Sequence, residues 1–254
     1  MPKQDIAREK EWWDRGGFYV DSGHWTSGRI FASRERHWLC TSVSKIRFYS
    51  HLIDVCRKSP FWQRARVLLA PTGDGADIRY LRGLSTEIHG IDISPVALGR
   101  CPRDLIPREG DIGAMPYDNE FFDVLVCALF LHHVHRVGFT PYLKEFHRVL
   151  KPGGVLAIQE PSALFPPAPL FAFLRRLMGN ITGQVPAEKP LNPKQLKSVL
   201  RAVGFRDIHV LGLGYNHVRT PVVFQLIVDA VDAPFRRAPL LSSLCYNVGF
   251  YARK

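Results

Sequence analysis

Cysteine is scarce in this sequence, and the few cysteines form no pattern. They lie far apart and include no C-x-x-C pair: Cys40, Cys56, Cys101, Cys127 and Cys245. Isolated thiols of this kind argue against a disulfide framework and against a structural zinc site. The sequence therefore predicts no bound metal and a reducing, cytoplasmic setting.

Long apolar runs are also missing. The longest are residues 124–131 and the proline-broken residues 164–174, and both are shorter than the roughly 20 residues that cross a bilayer as a helix. The first residues are charged, which is not typical of a signal peptide. The chain has 254 residues with 46% hydrophobic content, which predicts one α/β domain with additions.

Acidic residues are in the minority, and the imbalance is uneven along the chain. The formal net charge is +11, divided as +6 in residues 1–66, −3 in residues 67–160 and +8 in residues 161–254. Basic flanks favour an anionic substrate, an acidic carrier or a membrane surface as partner. The alternative is a basic protein without such a partner. The charge alone therefore leaves peripheral membrane contact as one of several possibilities.

A glycine-bearing loop follows the first predicted strand. Residues 66–70 are a short apolar run without helical period, which is typical of a buried parallel strand. Gly73 and Gly75 follow at once. Glycines let the backbone approach a ligand closely, and exposed N–H groups at a helix N-terminus favour a carboxylate. Alone, the loop matches G-x-G-x-x-G poorly.

Asp92 ends a second apolar run, about 20 residues after the loop, where an acidic side chain can accept hydrogen bonds from both hydroxyls of a ribose. The alternative is that Asp92 caps the next helix. Ser94 can fill that role, however, with Pro95 at the first helical position. The pattern therefore predicts Asp92 as a ribose ligand.

Later segments continue the alternation of strands and helices. A third short strand is predicted near residues 105–109, just before Asp111, and residues 122–128 predict a buried central strand. The string HRVLKPGG predicts a helix end and a tight turn into a strand at residues 155–159. A helix opened by Asn192 and ended by Gly204 and strands near residues 205–213 and 245–252 follow.

Taken in order, these segments resemble the class I S-adenosylmethionine-dependent methyltransferases, particularly the branch that acts on small molecules. The resemblance implies a Rossmann-like α/β fold, with a seven-stranded, mostly parallel sheet, helices on both faces and a reversed last strand. It also implies S-adenosyl-L-methionine as cofactor, with Asp111 on the adenine amino group and Ile112 over the ring. The implied cofactor contacts are Thr72, Gly73, Asp74, Gly75, Asp92, Ile93, Asp111, Ile112, Ala128 and Leu129.

The glycine loop departs from the family pattern. Leu69 stands where the family usually has an acid at the end of the first strand, and Pro71 stands where the first glycine is expected. In the family, the acid helps to hold the ammonium group of the cofactor. Asp74 or Asp77 could compensate. Because of this departure, the alternative remains that the protein binds the cofactor but has lost or changed the methyl-transfer chemistry.

The basic flanks are predicted to cap the core. Residues 1–66 are expected to form a helical cap or lid, and residues 67–254 the cofactor-binding domain, with a substrate-cap insertion at about 161–190. Tyr19, His24 and His217 are predicted to contact the acceptor, because a closing lid would exclude water. Alternatively, the aromatic side chains of the first segment only pin it to the core.

In-line methyl transfer to a hydroxyl often needs a base. His133 and His132 follow the fourth strand, at the edge where open α/β sheets bind ligands, and are the predicted catalytic residues. Alternatively, they cap the following helix and pack against the rim of the cofactor.

The leading interpretation is methyl transfer to a small-molecule acceptor, apolar or anionic, such as a natural product, a lipid-linked compound or a sugar. A non-methylating cofactor-binding protein is the first alternative, and an RNA methyltransferase is the second. The charge favours the latter, but the chain lacks an N/D-P-P-Y string, a Pro-Cys motif and a visible RNA-binding module. A nicotinamide dehydrogenase is disfavoured, because the chain also lacks a Tyr-x-x-x-Lys string. The acceptor atom and the oligomeric state are not predicted.

Overall fold

Seven strands form one mixed sheet in the computed structural model. The structure describes residue 10 and residues 34–61, 64–85, 87–134, 138–170, 173, 177, 189–215 and 222–254. The strands are β1 (Arg66–Leu69), β2 (Glu87–Asp92), β3 (Leu105–Glu109), β4 (Phe122–Ala128), β5 (Leu150–Pro161), β6 (Arg206–Gly214) and β7 (Asn247–Arg253).

Helices alternate with these strands along the chain. The α-helices are α1 (Arg34–Arg57), α2 (Pro95–Leu98), α3 (Thr140–Val149), α4 (Pro193–Val203) and α5 (Val222–Arg237). Short 3₁₀ turns lie at Ala76–Tyr80, Leu131–His133 and Ser242–Leu244. Among the described residues, none of these helices is both long enough and apolar enough to cross a membrane.

The strand order is β3-β2-β1-β4-β5-β7-β6. Strands β1 to β5 pair in parallel, and β7 is antiparallel to both β5 and β6. The order changes direction beside β1, which is the kind of position where open α/β sheets bind ligands at the carboxyl ends of their strands. The predicted fold, including the reversed last strand, is confirmed.

Each face of the sheet carries its own apolar core. Helices α3 and α4 cover one face, where Phe146 and Leu200 are fully buried. Helix α1 covers the other face with Phe48, Tyr49 and Leu52. Strands buried on both faces read as continuous apolar runs, which is why β1 and β4 show no alternation in the sequence.

Helix α4 illustrates how local sequence sets the boundaries. The Asn192 side chain accepts from the N–H of Lys194 at 3.0 Å, and Gly204 ends the helix with a φ of 115°. Both ends were predicted, because Asn is a favoured N-cap and Gly adopts the left-handed conformation easily. The division into a cap at residues 1–66 and a cofactor domain stays a prediction.

Candidate active site

The carboxyl ends of β1, β2 and β3 lie side by side at one edge of the sheet. The loop after β1 turns sharply, with φ values of 54° at Gly73 and 72° at Gly75. A Cβ atom at Gly75 would lie 2.9 Å from Cδ of Pro102. Both positions therefore require glycine, Gly73 for its backbone conformation and Gly75 also for the lack of space.

The amides of this loop are used within the protein. Gly73 N–H donates to the Asp92 carboxylate at 2.8 Å, and Gly75 N–H donates to the carbonyl of Thr72 at 3.0 Å. The expectation that these amides face a ligand carboxylate is thus not met by the structure. Gly73 itself carries no side chain, which permits a close approach of backbone and ligand at that position.

Asp92 links two parts of the backbone and is also the candidate ribose-binding residue. Its side chain is buried, with 2% of the residue exposed, and accepts from the N–H groups of Gly73 and of Ser94, the latter at 3.0 Å. The Ser94 hydroxyl caps α2 by accepting from Ala97 N–H, as predicted. Asp92 therefore fixes the glycine loop to the end of β2, and its role toward a ribose stays a prediction.

The two acids proposed to replace the missing acid at Leu69 differ in their surroundings. Asp77 binds helix α1, because it accepts from Lys45 Nζ at 2.5 Å and from the Tyr49 hydroxyl at 2.8 Å. Burial, followed by the charge of Asp77, raises the pKa of Tyr49. Asp74 is half-buried and accepts from Ala76 N–H at 3.1 Å within the loop. Asp74 is therefore better placed to face a ligand than Asp77.

Asp111 and Ile112 lie just after β3, in opposite environments. Asp111 is exposed and accepts from Gly113 N–H at 2.7 Å, whereas Ile112 is 4% exposed and joins the apolar core. Ile93 directly follows Asp92, and Ala128 and Leu129 lie at the end of β4. The structure thus brings all ten predicted cofactor contacts to the same edge of the sheet.

The residues at this edge suit S-adenosyl-L-methionine. Thr72 is buried, and within the described parts of the chain its hydroxyl has no hydrogen-bond partner. A buried hydroxyl without a partner is costly unless water or a ligand satisfies it. The backbone at Gly73 and the exposed Asp111 carboxylate provide further contacts for a polar cofactor. Among the described residues, no group of three or more His, Cys, Asp or Glu side chains could hold a metal ion.

The end of β4 holds a carboxylate–imidazole pair. Glu160, at the end of β5, is fully buried, and its Oε1 accepts from Phe130 N–H at 2.8 Å and from Leu131 N–H at 2.6 Å. Its Oε2 lies 2.7 Å from Nδ1 of His132. Leu129, just before this turn, has a φ of 58°, a conformation that non-glycine residues seldom adopt.

His133 lies beside the pair in a different environment. Its ring centroid is 4.1 Å from that of His132. Burial, and then the neighbouring His132, lower the pKa of His133 well below its ordinary value. His133 is therefore neutral at pH 7 and a weak base.

Sequence reasoning missed Glu160 and Gln159. Glu160 appears in the sequence only as an acid after an apolar strand, and its contacts with residues 130–132 come from the pairing of β4 with β5. Gln159 is 1% exposed, and its Oε1 has no partner within the described residues. The predicted acceptor residues Tyr19, His24 and His217 lie outside the described residues.

Comparisons with known proteins agree with this geometry. Residues 69–158 match the family model described as "Methyltransferase domain". The erythromycin 3''-O-methyltransferase of Saccharopolyspora erythraea is 32% identical over 179 residues, which are 63% of this chain and 55% of that protein. The phthiotriol/phenolphthiotriol dimycocerosates methyltransferase of Mycobacterium leprae is 36% identical over 100 residues, which are 36% of each chain. The chain thus spans about half the length of the first relative and less of the second.

A solved structure extends the likeness to most of the fold. The phosphoethanolamine N-methyltransferase 2 of Haemonchus contortus, in complex with phosphomonomethylethanolamine and S-adenosylhomocysteine, has a TM-score of 0.59 at 17% identity. The alignment covers 93% of this chain and 59% of that one. The family match thus identifies residues 69–158 as a methyltransferase domain, and the described fold is similar to that of solved S-adenosylmethionine-dependent methyltransferases.

Proposed function

We propose that this chain transfers the methyl group of S-adenosyl-L-methionine to a small-molecule acceptor of the natural-product or lipid type. The observation that carries the proposal is the convergence of the glycine loop, Asp92 and Asp111 at the ends of three neighbouring parallel strands. This is the edge at which open α/β sheets bind nucleotide-containing ligands.

Each of the predicted cofactor residues contacts a different part of S-adenosyl-L-methionine. Gly73, which has no side chain, allows the methionine part to approach the backbone next to Gly75, and Asp74 faces its ammonium group in place of the missing acid at Leu69. Asp92 holds the ribose, since its carboxylate lies at the end of β2, beside the glycine loop that it binds through Gly73 N–H, where an acidic side chain can accept from ribose hydroxyls. Asp111 binds the adenine amino group. When bound, the cofactor supplies a methyl group on a sulfonium sulfur, and a neutral thioether is the leaving group of the transfer.

The acceptor side rests on the relatives and on charge. One relative is named for the 3''-oxygen of erythromycin and another for phthiotriol lipids, so both point to large, largely apolar acceptors. The flanks of this chain carry +6 and +8 and contain the predicted acceptor residues Tyr19, His24 and His217. His132 and His133 are the candidate bases at the end of β4.

A non-methylating role is the second candidate, because Leu69 is an apolar residue, 3% exposed, where the family places an acid. It predicts tight binding of S-adenosylhomocysteine without transfer. Methylation of RNA is the third candidate, supported by the net charge alone.

Calorimetry and a labelled-methyl assay separate these three candidates. Calorimetry with S-adenosylhomocysteine should show one site per chain, and no binding at millimolar concentration would contradict the proposal. Tritium-labelled S-adenosylmethionine is then offered with a macrolide glycoside bearing a free sugar hydroxyl, with a long-chain diol lipid and with bulk tRNA. Label in either small molecule supports the proposal, label in tRNA supports the RNA alternative, and binding without any transfer supports the non-methylating role.

A further inference from the structure

Three N–H donors converge on the buried carboxylate of Glu160. Two are the backbone amides of Phe130 and Leu131, both on Oε1, and the third is Nδ1 of His132, on Oε2. An ionised carboxylate only accepts hydrogen bonds, so it suits three donors. The arrangement holds both the turn after β4 and the ring that the turn carries.

The contact with Glu160 selects one tautomer of His132. A neutral imidazole has one N–H and one nitrogen that accepts a proton. Because the carboxylate oxygen accepts, Nδ1 carries the hydrogen and Nε2 is the basic nitrogen. A carboxylate behind a histidine is a common way to fix both tautomer and ring orientation.

The turn that carries the pair is itself pinned to β5. Leu129, in its left-handed conformation, donates its N–H to the carbonyl of Gln159 at 2.8 Å. The turn after β4 therefore meets the end of β5 at several points, through Leu129 with Gln159 and through residues 130–132 with Glu160. A strained residue held by neighbouring contacts is typical of functional sites.

We propose that Glu160 is a positioning residue that keeps His132 in the Nδ1–H tautomer, so that Nε2 takes the proton of an acceptor hydroxyl. The inference rests on the proposed function and adds that the methylated atom is oxygen. As the acceptor O–H bond breaks, its proton goes to Nε2 and the oxygen forms the new C–O bond. The electron pair of the broken C–S bond stays on sulfur, and His132 later releases the proton to water.

Nitrogen-15 NMR of the full chain tests the tautomer without any acceptor. The His132 signals are assigned by their loss in His132→Gln. In the parent protein at neutral pH, Nδ1 should be the protonated nitrogen and Nε2 the unprotonated one. An Nε2–H tautomer in the parent protein would overturn the proposal, and this measurement needs no variant that folds poorly.

Glu160→Gln should invert the tautomer. The amide oxygen of Gln satisfies the two backbone N–H groups, so its NH₂ group faces Nδ1 of His132, which must then accept. Glu145→Gln is the matched control, because Glu145 also accepts from a backbone amide, Met115 N–H at 2.6 Å, but belongs to α3. The control should leave the His132 signals unchanged. A Glu160→Gln protein that is folded, by circular dichroism, and keeps the parent tautomer would contradict the proposal.

Transfer assays give a second readout. With the macrolide glycoside as hydroxyl probe, Glu160→Gln should lower kcat by about 100-fold, within the usual range for general-base catalysis, with KM and the Kd of S-adenosylhomocysteine within about 2-fold. An unchanged kcat would overturn the proposal, as would transfer to phosphoethanolamine but not to the glycoside. If the parent protein fails to bind S-adenosylhomocysteine, the proposed function fails instead, whatever the tautomer of His132.

Discussion

Two buried carboxylates lie at the carboxyl ends of β2 and β5, which β1 and β4 separate in the sheet, and they work in partly different ways. Asp92, the last residue of β2, accepts from the amides of Gly73 and Ser94, and Glu160, near the end of β5, accepts from those of Phe130 and Leu131. Each one ties a loop to the sheet. Glu160 additionally contacts an ionisable ring, His132. Asp92 thus holds only backbone groups in these contacts, whereas Glu160 holds both the backbone of the turn after β4 and the candidate base His132.

The backbone contacts that both carboxylates make have a thermodynamic consequence. Removing a buried carboxylate leaves its backbone donors without partners, which costs about 1–3 kcal/mol for each group. Both sites therefore combine stability with function, and a loss of activity alone cannot distinguish the two roles. Measurements of affinity, stability and pH dependence in the same variants can.

The largest effect is expected for Asp92→Ala. Loss of the ribose contact should weaken S-adenosylhomocysteine binding about 10-fold to 100-fold, and two orphaned amides should lower the free energy of unfolding by about 2–6 kcal/mol. Calorimetry and urea denaturation measure the two quantities. Asp104→Ala is the control, since Asp104 is an exposed acid paired with Arg82 and should change either quantity little. Unchanged affinity in a destabilised Asp92→Ala protein would leave Asp92 as scaffold only.

Gly75→Ala should have the next largest effect. Its φ of 72° is unfavourable for alanine, and the new Cβ would lie 2.9 Å from Pro102 Cδ and 3.1 Å from Cys101 Sγ. We expect a loss of about 1–3 kcal/mol in the free energy of unfolding and weaker S-adenosylhomocysteine binding. Gly83→Ala is the matched control, because a Cβ there meets nothing within 4 Å. Equal effects of both substitutions would show that the glycine loop has no special geometry.

The meeting of the predicted cofactor residues at one edge of the sheet follows from the sequence, whereas the contact between Glu160 and His132 does not. Strand β4 and the cap at Ser94 follow from apolar runs and local residue preferences, which depend on neighbours in the chain. Glu160 meets His132 only because Ala128 pairs with Gln159 across the sheet. That register depends on the whole fold, so no local pattern contains it. The sequence also predicts His133 as a base, but burial lowers the pKa of this residue and makes it a weaker one.

Acid should expose the difference between the two histidines. Because burial lowers the pKa of His133 from 6.5, the unfolded chain binds its proton more readily than the folded one. The stability that neutral His133 contributes is present above pH 6.5 and is lost as the pH falls below that value, by up to about 1.4 kcal/mol per pH unit.

His133→Asn should therefore flatten the pH dependence of stability between pH 6.5 and 5, as measured by urea denaturation at several pH values. His51 and His147, whose pKa values burial also lowers, contribute the same slope to both proteins and cancel in the comparison. An identical slope in the variant would mean that His133 titrates normally and is as good a candidate base as His132.

The smallest effect is expected for Gln159→Leu, and its sign is informative. Gln159 is buried beside Glu160, yet its Oε1 lacks a partner within the described residues, so the native state carries a desolvated polar atom that leucine would remove. The free energy of unfolding should rise by about 1 kcal/mol, while the exposed Gln195→Leu should stay within about 0.5 kcal/mol of the parent. Cofactor affinity should not change in either variant. A decrease in stability would mean that Gln159 has a hydrogen-bond partner in solution, most simply a buried water. Gln159 would then be a second polar side chain, next to Glu160, that holds the end of β5.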